Sequence, residues 1–358
     1  MVEMAKFEGI EVHVLAPMYD HDEKSLEIMD EGIHVHFFDP HVYPDKDPLL
    51  TRIFPGIRGK FNMLRFLLSF RKRGKQIIQK HGIDIVHSHW LIPSGLVGYL
   101  LNPPILVNTS YGSDIMILPK KRMWRVLIKH ILRKVDFQYA IGDVIREKSL
   151  GLGARHAETI MPVPVDSDQF KELMKVPLTK HEEEEVNIVT VASLYPLKNI
   201  SALIQSVKIL GKMDGVTVHI VGDGDLREEL EQKSHSSEIP IVFHGFLDRE
   251  STLKIISESH ISVLPSYSEG LSSFLVESLL AGNLILASNV GGTPTMVNNA
   301  DLLFEPDEIE RLASLLQKYI ANGDQRLRIV EEKRNTEASN FNPKELVAKI
   351  VSKYNEIR

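Results

Sequence analysis

The chain has 358 residues, of which 43% are hydrophobic and 25% charged, with a formal net charge of −6. These values are typical of a soluble globular protein of two domains. The chain has no cysteine, which excludes disulfides, thiolate metal sites and a cysteine nucleophile. It has neither a signal-peptide core nor an apolar run long enough to span a membrane, so we expect a cytoplasmic protein.

Short apolar runs of β-forming residues alternate with stretches of helical spacing along the whole chain. In the first half the runs cover residues 10–17, 33–38, 84–90, 105–110 and 136–142. In the second half they cover residues 186–193, 216–222, 240–245, 260–266 and 283–289. Near-continuous apolar strands between helices predict parallel sheets covered on both faces. The fold class is therefore α/β, and in such sheets ligands bind outside the carboxyl ends of the strands.

A change in charge and in composition marks the boundary between two halves. Basic residues outnumber acidic ones up to residue 165, whereas acidic residues dominate beyond it. Two prolines in MPVPVDSDQF (161–170) break the periodicity at the same place. We expect an N-terminal domain over 1–167 and a C-terminal domain over 168–341. The last helix, at about 342–358, is expected to pack back on the first domain.

Two glutamates flank a hydrophobic run in SEGLSSFLVESLLAG (268–282). Because a predicted strand ends just before them, Glu269 lies in the loop at its carboxyl end. Glu277 lies just over a turn inside the following helix, which a serine can cap and Gly282 can end. The backbone N–H groups between the two carboxylates could bind an anion. On these residues alone, a turn glutamate followed by an ordinary helix-face glutamate is the more common interpretation, and a ligand site is the alternative.

Glycine-rich turns follow two other predicted strands. They are IVGDGD, with Gly222 and Gly224, and SNVGGTP, with Gly291 and Gly292. Such turns let backbone N–H groups approach an anion and direct a helix N-terminus towards it. Each turn alone is weak evidence, and several on one sheet edge are stronger evidence.

The stretch around the two glutamates resembles the Glu-x7-Glu signature of the family 4 retaining glycosyltransferases (glycosyl transferases group 1) of the GT-B fold. Further segments resemble that family in order and spacing: IDIVHSHWLIPSGLVGYLL, YGSDI, IMPVPVDSDQF, VASLYPLKNISALIQSV, VGDGDLREELE, VFHGFLDRE and SNVGGTPTMV. The resemblance implies two Rossmann-like domains that face a cleft. The C-terminal domain would bind a nucleotide sugar and the N-terminal domain would face the acceptor.

The resemblance also implies roles for individual residues. Lys198 would pair with the donor diphosphate, Glu269 would bind hydroxyls of the transferred sugar, and Glu277 would accept a hydrogen bond from the ribose. Lys198 and Glu269 are thus the expected catalytic residues. The remaining expected donor-binding residues are Ser193, Gly222, Gly224, Gly270, Leu271, Ser272 and Ser273. The expected acceptor-side residues are His89, Tyr111 and Asp114.

Three positions depart from the family pattern. Ser193 stands where the family usually has an arginine beside the diphosphate, so one bidentate phosphate contact is missing. Tyr111 stands where the family usually has a histidine, and a phenol is a poor proton carrier at neutral pH. Thr295 stands where a glutamate is common.

Metal and nucleic-acid ligands are not expected. His87 and His89 alternate at a strand end, and we interpret them as hydrogen-bonded or cleft-lining side chains because no further ligands are evident. The Asp-x-Asp triplets at 20–22, 166–168 and 223–225 are short enough to arise by chance. The predicted reaction therefore requires no metal or other cofactor. No nucleic-acid recognition motif accompanies the basic residues.

Two basic stretches, 58–80 and 120–135, carry apolar residues at helical spacing. In the first, the apolar stripe is Met63, Phe66, Leu67, Phe70, Ile77 and Ile78. Such a stripe is either a core-facing surface with a solvated basic face, or part of an interfacial helix at anionic lipid. The second interpretation predicts peripheral association with the inner membrane face.

The expected function is transfer of a sugar, with retained anomeric configuration, from a nucleoside diphosphate to a glycan or lipid-linked acceptor. One alternative is a related nucleotide-sugar epimerase, or a phosphorylase relative. A second is a homologue that binds sugar nucleotide without catalysis. In the family, a strand and a Gly-rich loop precede the segment that matches IEVHVLAP. Their apparent absence from this sequence predicts that this chain alone transfers sugar poorly.

Overall fold

The computed structural model describes residues 2–18, 27–40, 56–116, 118–160 and 165–358. The chain forms two compact units, unit 1 (Met1–Ile160 with Val347–Arg358) and unit 2 (Met161–Leu346). Parallel strands alternate with helices in both units, which confirms the predicted α/β class. The predicted boundary at 161–170 lies partly outside the described residues.

The described residues of unit 1 form two sheets. Its strands are β1 (Val12–Pro17), β2 (Glu27–Asp30), β3 (Ile33–Phe38), β4 (Ile85–His89), β5 (Ile105–Ser110), β6 (Phe137–Ala140) and β7 (Ala157–Thr159). The order β1-β3-β2 forms one sheet and β4-β5-β6-β7 the other. All strand pairs are parallel except β2 with β3, which is antiparallel. The strands β2 and β7 have no counterpart among the predicted runs.

The helices of unit 1 before the boundary cover the strands on their flanks. They are α1 (Val2–Ala5), α2 (Gly56–His81), α3 (Leu96–Leu101), α4 (Ser113–Met116), α5 (Arg122–Lys134) and α6 (Asp143–Leu152). The predicted apolar stripe of α2 faces the sheet, since Phe66 and Ile77 are buried and the rings of Phe66 and Phe70 contact Phe38 of β3. This stripe is therefore part of the core, and only the opposite face of α2 is open to solvent.

Unit 2 is built on one parallel sheet of six strands. They are β8 (Val186–Val191), β9 (Val216–Val221), β10 (Ile241–Gly245), β11 (Ile261–Leu264), β12 (Leu284–Ser288) and β13 (Leu303–Phe304). Their order is β10-β9-β8-β11-β12-β13. Almost every residue of β8, β11 and β12 is buried, as expected for strands covered on both faces. The two-residue β13 was not predicted.

The helices of unit 2 alternate with these strands. They are α7 (Ser167–Lys175), α8 (Ile200–Leu210), α9 (Arg227–Ser234), α10 (Arg249–Ser257), α11 (Ser273–Leu280), α12 (Thr293–Val297), α13 (Ile309–Ile320) and α14 (Gly323–Glu337). The final helix, α15 (Pro343–Ile357), ends in unit 1. There Tyr354 lies with its hydroxyl 2.5 Å from Nδ1 of His87, and Lys353 lies 3.1 Å from Glu158.

Candidate functional site

The strand order of unit 2 reverses direction between β8 and β11. From β8 the chain proceeds to one side of the sheet through β9 and β10, and from β11 to the other through β12 and β13. At such a switch point the loops that follow the two central strands separate, which leaves a crevice for a ligand. The loop after β8 carries Ser193 and Lys198, and the loop after β11 carries Glu269. The structure therefore brings the two expected catalytic residues to the same point of the sheet.

Lys198 and Glu269 form an ion pair across this crevice. The Lys198 Nζ lies 2.7 Å from Glu269 Oε1, and the Ser266 hydroxyl donates to the same oxygen at 2.6 Å. The Glu269 side chain is only 8% exposed, whereas that of Lys198 is 29% exposed. A backbone hydrogen bond of 2.9 Å, from Tyr267 N–H to the Leu197 carbonyl, joins the same two loops. The two loops are thus joined by a backbone hydrogen bond as well as by the ion pair.

Two glycines after β12 fix the position of the Glu269 loop. Gly291 has φ +55°, and a Cβ at this position would lie 1.8 Å from the Glu269 carbonyl oxygen. A Cβ on Gly292 would lie 2.4 Å from the Gly270 carbonyl oxygen, which accepts a 3.0 Å hydrogen bond from Gly292 N–H. No side chain larger than hydrogen fits at these two contacts. The SNVGGTP turn therefore supports the Glu269 loop directly.

The N-terminus of α11 presents unpaired backbone donors next to Glu269. Within the described residues, no hydrogen bond reaches the N–H groups of Gly270, Leu271, Ser272 or Ser273. Ser272 is the N-cap residue, but its side chain makes no capping hydrogen bond. Donors at a helix N-terminus favour an anion. The expected donor-binding stretch thus has the geometry of an anion site.

Glu277 differs from its expected setting. Its side chain is 3% exposed, and its Oε1 lies 2.5 Å from NH1 of Arg249 at the start of α10. Burial raises the pKa of Glu277, and the Arg249 guanidinium opposes that rise. Sequence reasoning missed Arg249, although VFHGFLDRE placed it one turn after a strand end. The Arg249 side chain is 42% exposed, so its guanidinium is partly open to solvent.

The two glycines after β9 serve packing in this structure. The Gly222 N–H donates to the Gly245 carbonyl at 2.8 Å, and the Gly224 N–H donates to Asp223 Oδ1 at 2.8 Å. A Cβ on Gly222 would lie 2.0 Å from the Ala192 carbonyl oxygen. Both N–H groups are therefore already hydrogen-bonded, and a contact of these glycines with the donor stays a prediction. The glycines instead let this turn approach the loop that holds the exposed Ser193.

The expected acceptor-side residues lie together in unit 1. His89 Nδ1 lies 2.7 Å from the Tyr111 hydroxyl, and the Trp90 ring meets Tyr111 edge-on. Asp114 is 3% exposed and accepts from the N–H groups of Leu91 and Gly112, both at 3.1 Å. Burial raises the pKa of Asp114, and these hydrogen bonds oppose the rise. Asp114 therefore shapes the loops that carry His89 and Tyr111.

The motifs that resembled metal ligands form local contacts instead. His87 contacts Thr109 and Tyr354 through its two ring nitrogens, at 2.7 and 2.5 Å, which agrees with its interpretation as a hydrogen-bonded side chain. Asp166 caps α7 in a capping box, and Asp223 pairs with Arg227 at 3.0 Å. The Asp-x-Asp triplet at 20–22 lies outside the described residues.

Comparison with known proteins identifies glycosyltransferases, the class that the sequence motifs resembled. The sequence model described as Glycosyl transferases group 1 matches residues 172–336, and the one described as Glycosyl transferase 4-like matches residues 1–140. An uncharacterized glycosyltransferase of Methanocaldococcus jannaschii is 24% identical over 327 residues, 89% of this chain and 86% of its own length.

Two solved structures share the fold. Sucrose-phosphate synthase from Thermosynechococcus elongatus has a TM-score of 0.77 at 18% identity, covering 98% of this chain and 89% of its own. Anabaena HepE, in complex with UDP and glucose, has a TM-score of 0.67 at 16% identity and covers 91% and 87%.

Fold and sequence together define a transferase of the GT-B type. The two matching models between them span most of the chain, and they agree with the family that the motifs resembled. The chain is a GT-B glycosyltransferase, and its residues 172–336 match the model of the group 1 family.

The role of Gly291 gives a test of how the site is held. We expect Gly291→Ala to displace the loop 265–272, because the new Cβ cannot coexist with the Glu269 carbonyl. Hydrogen exchange of peptides from this loop should then become faster, measured by mass spectrometry on the full chain. Gly211→Ala is the matched control, since Gly211 has a similar φ of +66° but no atom within 4 Å of an added Cβ. Equal exchange in the loop of both variants would contradict the supporting role.

Proposed function

We propose that the chain transfers a sugar, with retention, from a nucleoside diphosphate sugar to a hydroxyl of an acceptor. The observation that carries this proposal is the grouping of Lys198, Glu269 and four free backbone donors at one switch point. A cation and a helix N-terminus suit a diphosphate, and a neighbouring carboxylate suits sugar hydroxyls. HepE, which shares the fold, is described in complex with UDP and glucose, and this supports a donor of that class.

The ion pair explains how donor binding would rearrange the site. Lys198 and Glu269 neutralise each other through one oxygen of Glu269. We propose that the donor diphosphate takes over Lys198, while a sugar hydroxyl donates to the released Glu269. Each charged group then exchanges one partner for another, so no charge is left buried and unpaired. Donor and sugar would thus be recognised together.

The chemical step we propose follows from the same charges. The bond between the anomeric carbon and the β-phosphate oxygen breaks, and the acceptor hydroxyl oxygen bonds to that carbon from the same face. The acceptor proton passes to the departing diphosphate oxygen. Lys198 and the N–H groups of the α11 N-terminus stabilise the negative charge that develops on the diphosphate. We propose that this positive charge is sufficient without a metal ion.

Two further side chains extend the proposed donor site. Phe246 follows β10 and is 84% exposed, so its ring is open for stacking with a nucleobase. We propose that Glu277 and Arg249 act as a unit, in which Glu277 orients Arg249 and the guanidinium contacts the ribose or a phosphate. This replaces the direct contact of Glu277 with the ribose that the family resemblance implied.

The proposed acceptor is a glycan or lipid-linked sugar at an anionic membrane surface. The outer face of α2 exposes Phe61, Leu64 and Leu68, each more than half accessible, at spacings of three and four residues. Arg65, Lys72 and Lys75 are exposed at positions of the same face. Apolar and basic residues on one face are typical of a helix that lies at a lipid interface. Among the described residues, no helix combines the length and apolar character that crossing a bilayer requires.

Substitutions at the ion pair should separate phosphate binding from sugar binding. Lys198→Ala should weaken binding of the nucleoside diphosphate by roughly 10- to 150-fold, since charged hydrogen bonds contribute about 1.5–3 kcal/mol. Glu269→Gln should bind the nucleoside diphosphate as well as the parent or more tightly, because it releases Lys198, yet should lose transfer. Calorimetry in the presence of EDTA measures both affinities, and radiolabelled donor measures transfer.

Lys212→Ala is the matched control, because this exposed lysine of unit 2 pairs only with Asp214 at the surface. A Lys198→Ala variant with parental affinity for the nucleoside diphosphate would refute the phosphate assignment. A Glu269→Gln variant that loses nucleoside diphosphate affinity as Lys198→Ala does would refute the division of roles.

Removal of basic residues from the outer face of α2 tests the proposed membrane-binding surface. The triple variant Arg65→Gln, Lys72→Gln and Lys75→Gln should bind anionic vesicles on the order of 100-fold more weakly, at about 1 kcal/mol for each basic residue near the surface. Vesicle sedimentation at low salt measures the binding, which should also fall as salt rises. The control removes three exposed basic residues elsewhere, by Arg328→Gln, Lys344→Gln and Lys349→Gln. Equal weakening by the two variants would contradict a specific role of α2.

A further inference from the structure

Four histidines cluster in unit 1, and none of them is among the residues assigned to transfer. His13 lies on β1, His34 and His36 lie on β3, and His81 is the last residue of α2. In the parallel register His13 is opposite His34, and Leu15 is opposite His36. Side chains two residues apart on a strand share a face, so His34 and His36 lie on the face that also carries His13.

Helix α2 brings the fourth ring onto this face. Phe38, two residues beyond His36, stacks against Phe70 of α2 with ring centroids 4.6 Å apart. The helix continues over the sheet and ends with the His81 ring 4.4 Å from the His13 ring and 5.5 Å from the His36 ring, centroid to centroid. The cluster therefore joins both parallel strands of the sheet to the C-terminus of the helix that covers it.

The ring nitrogens lie at distances that a single ion can bridge. The His13 Nδ1 lies 2.9 Å from the His36 Nε2, and one nitrogen each from His13, His36 and His81 lie within 4.8 Å of one another. Zinc–nitrogen bonds of about 2.0–2.1 Å place tetrahedral ligand nitrogens roughly 3.3 Å apart. Small side-chain rotations would thus bring the three nitrogens onto one ion.

A carboxylate orients the central histidine. Glu11 Oε1 lies 3.0 Å from His13 Nε2 and accepts a hydrogen bond from its N–H, which leaves the lone pair of the His13 ring on Nδ1. Metal-binding histidines commonly donate their second ring N–H to a carboxylate in this way. The His13 Nδ1 is the nitrogen that faces His36. The tautomer favoured by Glu11 therefore suits a metal ion bound between His13, His36 and His81.

The cluster is also shielded from solvent. The His13 side chain is 5% exposed and His36 is 2% exposed. A bound ion would therefore be held inside the unit, between the sheet and the end of α2.

We propose that His13, His36 and His81 bind one divalent transition-metal ion of the Zn²⁺ class, with Glu11 as the residue that positions His13. An all-imidazole ligand set suits Zn²⁺, Cu²⁺ or Ni²⁺ rather than Mg²⁺ or Ca²⁺. The ion would tie β1, β3 and the end of α2 together. The His34 Nε2 lies 3.2 Å from Glu11 Oε1, and His34 is not one of the proposed ligands.

Zinc stoichiometry of the untagged full chain tests the proposal. After removal of metals and dialysis against micromolar ZnSO₄, mass spectrometry should find one tightly held Zn²⁺ per chain. His36→Gln and His81→Gln should each lose it, whereas His156→Gln, which changes an exposed histidine of the same unit, should retain it. Zn²⁺ should also raise the melting temperature of the parent and not that of His81→Gln.

Substitution of an exposed residue tests the site even if the variants of buried histidines misfold. Glu11 is 61% exposed, so Glu11→Gln should fold normally, yet its zinc affinity should fall about 10- to 100-fold, as for other residues that orient a metal ligand. His34→Gln should leave the affinity unchanged. The proposal is overturned if the parent holds no zinc, or if His36→Gln and His81→Gln retain it. Loss of zinc in His34→Gln with retention in His36→Gln would place the ion outside the proposed site and also overturn it.

Discussion

The candidate donor site depends on the reversal of strand order between β8 and β11. Every strand pair of the unit 2 sheet is parallel, so all loops at the carboxyl edge leave from the same side. Only at the switch point do two adjacent strands lead to helices on opposite faces, which leaves the space between their loops open. Lys198 and Glu269 are 71 residues apart in sequence and meet there because the strands before their loops, β8 and β11, are neighbours in the sheet.

Backbone contacts then fix the position of the Glu269 loop beside that space. The loop of Glu269 is held by Gly291 and Gly292 from below and by the hydrogen bond between Tyr267 and Leu197 from the side. These contacts fix the backbone that carries the carboxylate. Beside them, α11 leaves its first N–H groups without partners inside the described residues. The cost of those unpaired donors is low when an anionic ligand satisfies them.

Much of this arrangement could be predicted from the sequence. The ten predicted strands are all present, because buried parallel strands are nearly continuous runs of Val, Ile and Leu. The family motifs also led to Lys198, Glu269 and the N-terminus of α11. The antiparallel β2 was missed because its four residues, EIMD, carry no β-rich apolar run.

Contacts between distant residues could not be predicted in this way. The use of the Gly222 N–H by Gly245, and the pairing of Glu277 with Arg249, depend on how adjacent loops pack, which spacing does not report. The histidine cluster left a faint signal in the alternating HVH of residues 34–36, but His13 and His81 join it only through strand pairing and the path of α2. Sequence patterns therefore pointed to the candidate site, and tertiary contacts determine which of its groups are already hydrogen-bonded.

The central claim is that the donor diphosphate lies between Lys198 and the N-terminus of α11. A crystal structure with the nucleoside diphosphate sugar that gives the largest thermal shift tests it most directly. The account predicts that the diphosphate accepts hydrogen bonds from the N–H groups of residues 270–273, with Lys198 moved from Glu269 to a phosphate oxygen. A diphosphate bound elsewhere on the sheet edge, with the Lys198–Glu269 pair intact, would contradict it.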